Sequence, residues 1–95
     1  MVKWFVYILE CSNGRLYTGI TTDPAARFKK HASGKGAMFT RLNRPERMLG
    51  VKRCKDRSDA GTREWAIKQL SPAQKRQLAE NWPVYGGLPK KGARY

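Results

Sequence analysis

Residues 3 to 21 constrain the fold more tightly than any other stretch. Lys3 to Glu10 is rich in β-branched and aromatic types, it stops at Ser12-Asn13-Gly14, and the β pattern resumes from Arg15 to Thr21. Asn-Gly readily takes the left-handed backbone that a tight hairpin turn needs, so the two runs pair as antiparallel strands. Gly19, inside the second strand, marks a bulge or a place where another backbone or a ligand comes close.

Helical signals follow. Asp23 before Pro24 is a start, because the carboxylate accepts from free backbone N–H groups and proline suits the first helical position. The spacing predicts a helix from Pro24 to about Ser33 that buries Ala25, Phe28 and Ala32 and sets Arg27 and His31, four apart, on one neighbouring face. Gly34-Lys35-Gly36 ends it and opens a loop to Pro45 that shows no period and reads as a binding loop. Arg47 to Cys54 reads as a third strand, and Ser58 is expected to cap a second helix reaching about Leu70. Ser71-Pro72-Ala73-Gln74 is a capping box that starts a third helix, to about Glu80. From Trp82 onward two prolines, three glycines and Lys90-Lys91 indicate an irregular basic tail, which divides the chain into one domain over 1–81 and a tail over 82–95.

A chain of 95 residues holds one core, and 40% hydrophobic residues build it without disulfides or a structural metal. Cys11 and Cys54 lack both CxxC spacing and histidines at zinc-ligand spacing, so they read as free thiols. The longest apolar run, Trp4 to Leu9, is too short to span a membrane and lacks a signal-peptide cleavage site; a cytoplasmic protein without membrane contact is expected. Charge points to the partner. Lys plus Arg number 20 against 7 acids, a net charge of +13, and between Arg27 and Arg57 eleven cations meet only Glu46 and Asp56. Such a run repels itself unless a polyanion is near, and nucleic acid fits better than an anionic membrane because no broad amphipathic helix is evident.

Phe5-Val6-Tyr7, nine intervening residues, Tyr17-Thr18-Gly19, then Arg27, His31 and Glu64 stand in the order and type of the motifs of the GIY-YIG nuclease family, which the chain resembles. The likeness to its small stand-alone bacterial members is closer, through Leu16 to Asp23, Gly34-Lys35-Gly36 to Thr40-Arg41, Arg44-Pro45, and Arg63-Glu64 to Lys68. It runs from about Trp4 to about Leu78. The resemblance implies an α+β fold, a three-stranded antiparallel sheet flanked by about three helices, and the element order read above agrees. It also implies hydrolysis of DNA phosphodiesters with one Mg²⁺ or Mn²⁺ ion and no small-molecule cofactor. By likeness Tyr7 and Tyr17 are the tyrosines of the two motif halves, Arg27 the helix arginine, His31 a frequent polar partner and Glu64 the metal ligand.

These residue types suit that chemistry. Attack of water on an anionic phosphodiester requires charge neutralisation, a deprotonated nucleophile and a stabilised leaving group. Glu64 offers a hard oxygen to an ion that keeps several waters, and Arg27 offers a planar fork to two phosphate oxygens. A tyrosine, Tyr17 before Tyr7, serves as general base if its pKa, ordinarily ~10, is lowered; alternatively a tyrosine orients the water and His31, ordinarily ~6.5, takes the proton. The plainer readings are strand packing for the tyrosines, an ordinary helix-surface cation for Arg27 and a surface pair of Glu64 with Lys68, four residues on. Lys35, Thr40, Arg41, Arg44 and Lys68 are the candidates for contacts to nucleic acid, mainly phosphate, so binding should be salt-sensitive and weakly sequence-selective.

Three positions depart from the family pattern: Phe5 replaces a glycine, Thr18 an isoleucine, and a late asparagine has only Asn81 as a counterpart. The expected function is a DNA endonuclease of low sequence specificity, with structured or damaged DNA as candidate substrates. The alternative is a binding module that holds DNA or structured RNA on the same surface without cutting, and a third reading is an accessory protein docked on a nucleoprotein particle.

Overall fold

The computed structural model describes residues 2–82; of the tail expected over 82–95, Trp82 instead packs into the core, and 83–95 lie outside the described residues. A hairpin of β1 (Trp4–Cys11) and β2 (Leu16–Thr21) leads into α1 (Pro24–Ala32), α2 (Met38–Leu42), β3 (Pro45–Cys54), α3 (Arg57–Lys68) and α4 (Pro72–Glu80). The hairpin turns where Asn-Gly predicts it: Gly14 has φ 84° and donates its N–H to the Cys11 carbonyl at 2.9 Å. The three strands form one antiparallel sheet in the order β2-β1-β3, with Tyr7 opposite Gly19 on one side and Val51 on the other. β1 is thus the central strand and is buried from Phe5 to Cys11, which explains why its sequence reads as an unbroken apolar run rather than an alternation.

Alternation still divides the core. Val6 and Ile8 pack with Leu49, Ala60, Ile67, Ala79 and Trp82, so α3 and α4 cover that face of the sheet. Phe5, Tyr7 and Leu9 pack on the opposite face with Met48, Val51 and Phe28 of α1. Cys11 and Cys54 are buried free thiols, and burial pushes both above the ordinary thiol pKa, which makes them inert core residues.

Several expectations need correction. In α1 the buried residue is His31, whereas Ala25 and Ala32 are exposed and Phe28 half-buried; two hydrogen bonds, described below, turn the imidazole inward and rotate the helix away from an alanine stripe. The stretch expected as loop contains α2, whose buried residue is Thr40 while Met38 and Leu42 face solvent. Without an apolar stripe the helix left no hydrophobic period to read. β3 begins two residues early, at Pro45, and the cap of α3 is Asp56, whose carboxylate accepts from Asp59 N–H at 2.8 Å, rather than Ser58. The capping box at Ser71 and Gln74 forms as read.

One polar network ties the layers together. Glu10 sits on the central strand at 9% exposure. Arg47 Nε donates to its carboxylate at 2.6 Å, and Arg76 of α4 donates both to the same carboxylate and, at 2.9 Å, to the Gly14 carbonyl in the hairpin turn. Burial pushes the Glu10 carboxyl up, but the bonds from Arg76 and Arg47, with their charges, outweigh it and hold the pKa below the usual carboxylate value. A folded pKa below the unfolded one gives stability that is present above about 4.3, the ordinary glutamate value, and is lost as pH falls through the folded value. Arg76→Ala is expected to reduce unfolding free energy at pH 7 by about 1–3 kcal/mol, the range for an unmade bond to a buried charged group, and the deficit should shrink below about pH 4. Urea titrations of both proteins at the two pH values measure it.

Candidate active site

The α1 face of the sheet carries a group of side chains built around Tyr7. Its phenol leans over Gly19, its partner on the edge strand β2, where a Cβ would lie only 2.5 Å from the Tyr7 hydroxyl. The sequence signal at Gly19 is thereby explained: the missing side chain makes room for the tyrosine. The Tyr7 hydroxyl meets His31 Nε2 at 2.8 Å, and His31 Nδ1 meets the Thr40 hydroxyl at 2.8 Å. Thr40 donates its one proton to the Ala37 carbonyl at 2.9 Å. With that proton on Ala37, Thr40 accepts from His31, which assigns the imidazole proton to Nδ1 and leaves Nε2 to accept from Tyr7. Gly36 completes the enclosure; a Cβ there would fall 2.2 Å from His31 Nδ1.

Charges surround this chain of bonds. Arg27 of α1 acts on the Tyr7 phenol as a positive charge, and Glu64 of α3 acts on it as a negative one. Burial first, then the Tyr17 phenol and Glu64, push Tyr7 well above the ordinary tyrosine pKa against the pull of Arg27. Burial and the cations Arg27 and Lys30 hold His31 below the ordinary imidazole value. Tyr17 is half-buried and packs its ring against His31 with centroids 5.2 Å apart, against Phe39 at 5.7 Å and against Tyr7 at 6.2 Å.

The sequence pattern of the GIY-YIG catalytic domain family matches residues 3–77, a span that includes all of these side chains. The chain belongs to the GIY-YIG family. A UPF0213 protein of Desulfotalea psychrophila is 54% identical over 78 residues, covering 81% of this chain and 71% of that one. A UPF0213 protein of Cupriavidus necator is 49% identical over 81 residues, 85% of this chain and 88% of its own. The solution structure of the UPF0213 protein BH0048 from Bacillus halodurans matches with a TM-score of 0.51 at 44% identity, over 90% of this chain and 87% of that one. Protein EF2693 from E. faecalis matches with a TM-score of 0.58 at 38% identity, over 82% and 83%. The α+β fold with its three-stranded antiparallel sheet is thus shared with these relatives. The family is one of nuclease domains; the relatives' names carry no activity of their own.

The structure brings Tyr7, Tyr17 and His31 into contact, and the charges of Arg27 and Glu64 act on Tyr7. Thr40 belongs with them rather than with the surface contacts expected for it: at 2% exposure, with its hydroxyl engaged by His31 and Ala37, it has nothing to offer a nucleic acid. Lys35, Arg41 and Arg44 are exposed, Arg41 on α2 and Arg44 beside the hairpin, where its carbonyl accepts from Ser12 N–H at 2.8 Å. Lys68 pairs with Glu64 at 3.3 Å, so the surface pair weighed from the sequence exists alongside the placement of Glu64 near Tyr7. Half-exposed lysine and quarter-exposed carboxylate make this a weak pair, worth a few tenths of a kcal/mol, which a dication can displace. Asn81 ends α4 on the other face, its amide directed to the Gln77 carbonyl at 3.4 Å. Thr18, the other departure, is buried with a hydroxyl that finds no hydrogen-bond partner among the described residues.

The donor set suits a hard ion. Among the described residues no three His, Cys, Asp or Glu cluster. One partly exposed carboxylate beside phenols fits Mg²⁺ or Mn²⁺, which keeps most of its water and takes a single carboxylate plus substrate phosphate. No described helix is long and apolar enough to cross a membrane.

Proposed function

We propose that this protein is a metal-dependent endonuclease that hydrolyses DNA phosphodiester bonds, with Glu64 as the metal ligand, Arg27 on the scissile phosphate and Tyr7 with His31 handling the proton. The observation that carries the reading is the directed chain from Tyr7 to His31 to Thr40, with Arg27 and Glu64 acting on its first member. A bound Mg²⁺ or Mn²⁺ would supply Lewis-acid stabilisation of the phosphorane charge and of the leaving oxygen.

The protein's own residues do the rest. The Tyr7 phenol is fully buried and bonded to His31 Nε2, so in this relay a water that enters the site gives its proton to the phenol oxygen while the phenol's own passes to the imidazole. Two protons move, water oxygen bonds to phosphorus, the P–O bond to the departing nucleotide breaks, and a neutral tyrosine remains throughout. This relay suits a phenol whose pKa is raised, because no tyrosinate has to form. The resulting imidazolium is held by Thr40, which accepts from Nδ1 in either protonation state. Arg27 offers its fork to the phosphate oxygens, where charge grows. Tyr17 lacks a proton acceptor of this kind among the described residues and is assigned to walling the site. The exposed Lys35, Arg41 and Arg44 are assigned to phosphate contacts, which give salt-sensitive binding of low sequence preference.

Incubation of the full chain with labelled single-stranded, duplex and branched DNA and with RNA, in Mg²⁺, Mn²⁺ or chelator, tests the reading. Divalent-dependent DNA products are expected. Salt-sensitive retention of DNA and RNA without any product would establish the binding module instead.

A further inference from the structure

Beside the candidate active site lies an open groove of about 420 Å³ between the hairpin turn and the start of α4. Leu16, Phe39 and Pro72 give it apolar walls, and Arg15 and Lys75 give it two cations. Its shape is held by bonds that join its sides: Arg76 donates to the Gly14 carbonyl at 2.9 Å, and Asn13 donates to Asn43 at 2.7 Å. Phe39 connects it to the reactive group, since the ring that lines the groove also packs on Tyr17, which in turn packs on His31. A strand whose phosphate lay at Tyr7 and Arg27 would have this groove beside it, one ring beyond Tyr17.

We infer that the groove is a flanking-nucleotide subsite, in which one unpaired base stacks on Phe39 and its phosphate is held by Arg15 and Lys75. The inference rests on the nuclease reading for the position of the strand. The volume is in the range of a small-molecule pocket, large enough for one nucleotide. Paired bases inside a duplex show only their edges to a protein, whereas an aromatic wall takes the face of a base that has left its stack. Two cations with no acid in the lining give the groove a net positive charge toward the one negative charge of a nucleotide's phosphate. The nucleic-acid segment committed to this groove is thus single-stranded, whether a free strand, a loop or a frayed end.

Amide chemical shifts of the ¹⁵N-labelled full chain, followed in chelator so that nothing is cut, test this directly. Hexathymidylate should shift Arg15, Leu16, Phe39 and Lys75, and a blunt ten-pair duplex should leave them in place. Phe39→Leu should weaken hexathymidylate binding by about tenfold, the loss of one stacked base, and leave duplex binding unchanged. Phe39→Trp should restore it, which a purely structural role for the ring would not allow. Lys75→Ala should weaken it about threefold and flatten its salt dependence. Shifts confined to residues around Tyr17 and Arg27, or equal losses for both probes, would overturn the subsite. Groove shifts in a protein that never cuts DNA would support the subsite while removing the nuclease reading.

Discussion

Glu64→Gln is expected to lower DNA cleavage by a factor on the order of 10³ or more while the protein stays folded and still binds its substrate. Glutamine keeps the size of the side chain and removes its charge, and a neutral amide oxygen is a poor ligand for a hard dication that takes only one carboxylate from the protein. Losing the ion forfeits several kcal/mol of transition-state stabilisation, which is three orders of magnitude in rate or more. Stability should change little, because the pair with Lys68 at 3.3 Å is half-exposed and worth a few tenths of a kcal/mol. Affinity measured in chelator should rise slightly, since a negative charge near the phosphate has gone. Cleavage assays at saturating Mg²⁺, anisotropy titrations and urea unfolding on the same preparations separate the three quantities. Undiminished cutting by the variant would show that the carboxylate beside Tyr7 plays no part in holding an ion.

How much of this site could be read from the chain depends on which forces placed each residue. The hairpin was legible because Asn13-Gly14 and the flanking β runs act locally, and Gly19 could be flagged because a glycine inside a strand has few other uses. The capping box at Ser71 is likewise a matter of neighbours. His31 was placed beside the buried stripe rather than in it, since nothing within its helix reveals that a phenol 24 positions earlier and a hydroxyl 9 positions later turn it inward. Thr40 was placed on the surface for the same reason. Gly36 stands at a helix end, where glycine is common, and so gave no hint that it makes room for the His31 ring. Glu10, Arg47 and Arg76 meet over separations of 37 and 66 residues, and charged residues at such distances leave no periodic trace. Motif order singled out the candidate residues, with Tyr17 preferred to Tyr7 as the base; that preference is reversed because Tyr7, not Tyr17, is hydrogen-bonded to His31.

That choice is the basis of the second large effect. Tyr7→Phe removes the oxygen that receives the water proton and should reduce cleavage by about 10²–10⁴, the usual contribution of a positioned proton acceptor. Tyr17→Phe, which keeps the ring contacts with His31 and Phe39, should cost less than about tenfold. Tyr7→Phe also leaves His31 Nε2 buried without its donor, so a stability loss of about 1–3 kcal/mol should accompany it and must be read separately by unfolding. The pH profile distinguishes the relay from a structural role. His31 must be neutral to take the proton, and its pKa lies below the ordinary imidazole value because burial, Arg27 and Lys30 disfavour the cation. Activity should therefore persist below pH ~6.5 and fall only as pH drops through that lowered value. Stability follows the same sign: an imidazole harder to protonate in the folded state than in the unfolded chain makes folding progressively weaker as pH falls from about 6.5 toward the folded value. Cleavage rates and urea midpoints measured across pH 4.5–8 for wild type and for His31→Gln provide the comparison. In the variant the acidic limb of activity should vanish along with most of the rate. An acidic limb that survives His31→Gln unchanged, or a greater loss from Tyr17→Phe than from Tyr7→Phe, would move the proton transfer to a different pair of atoms.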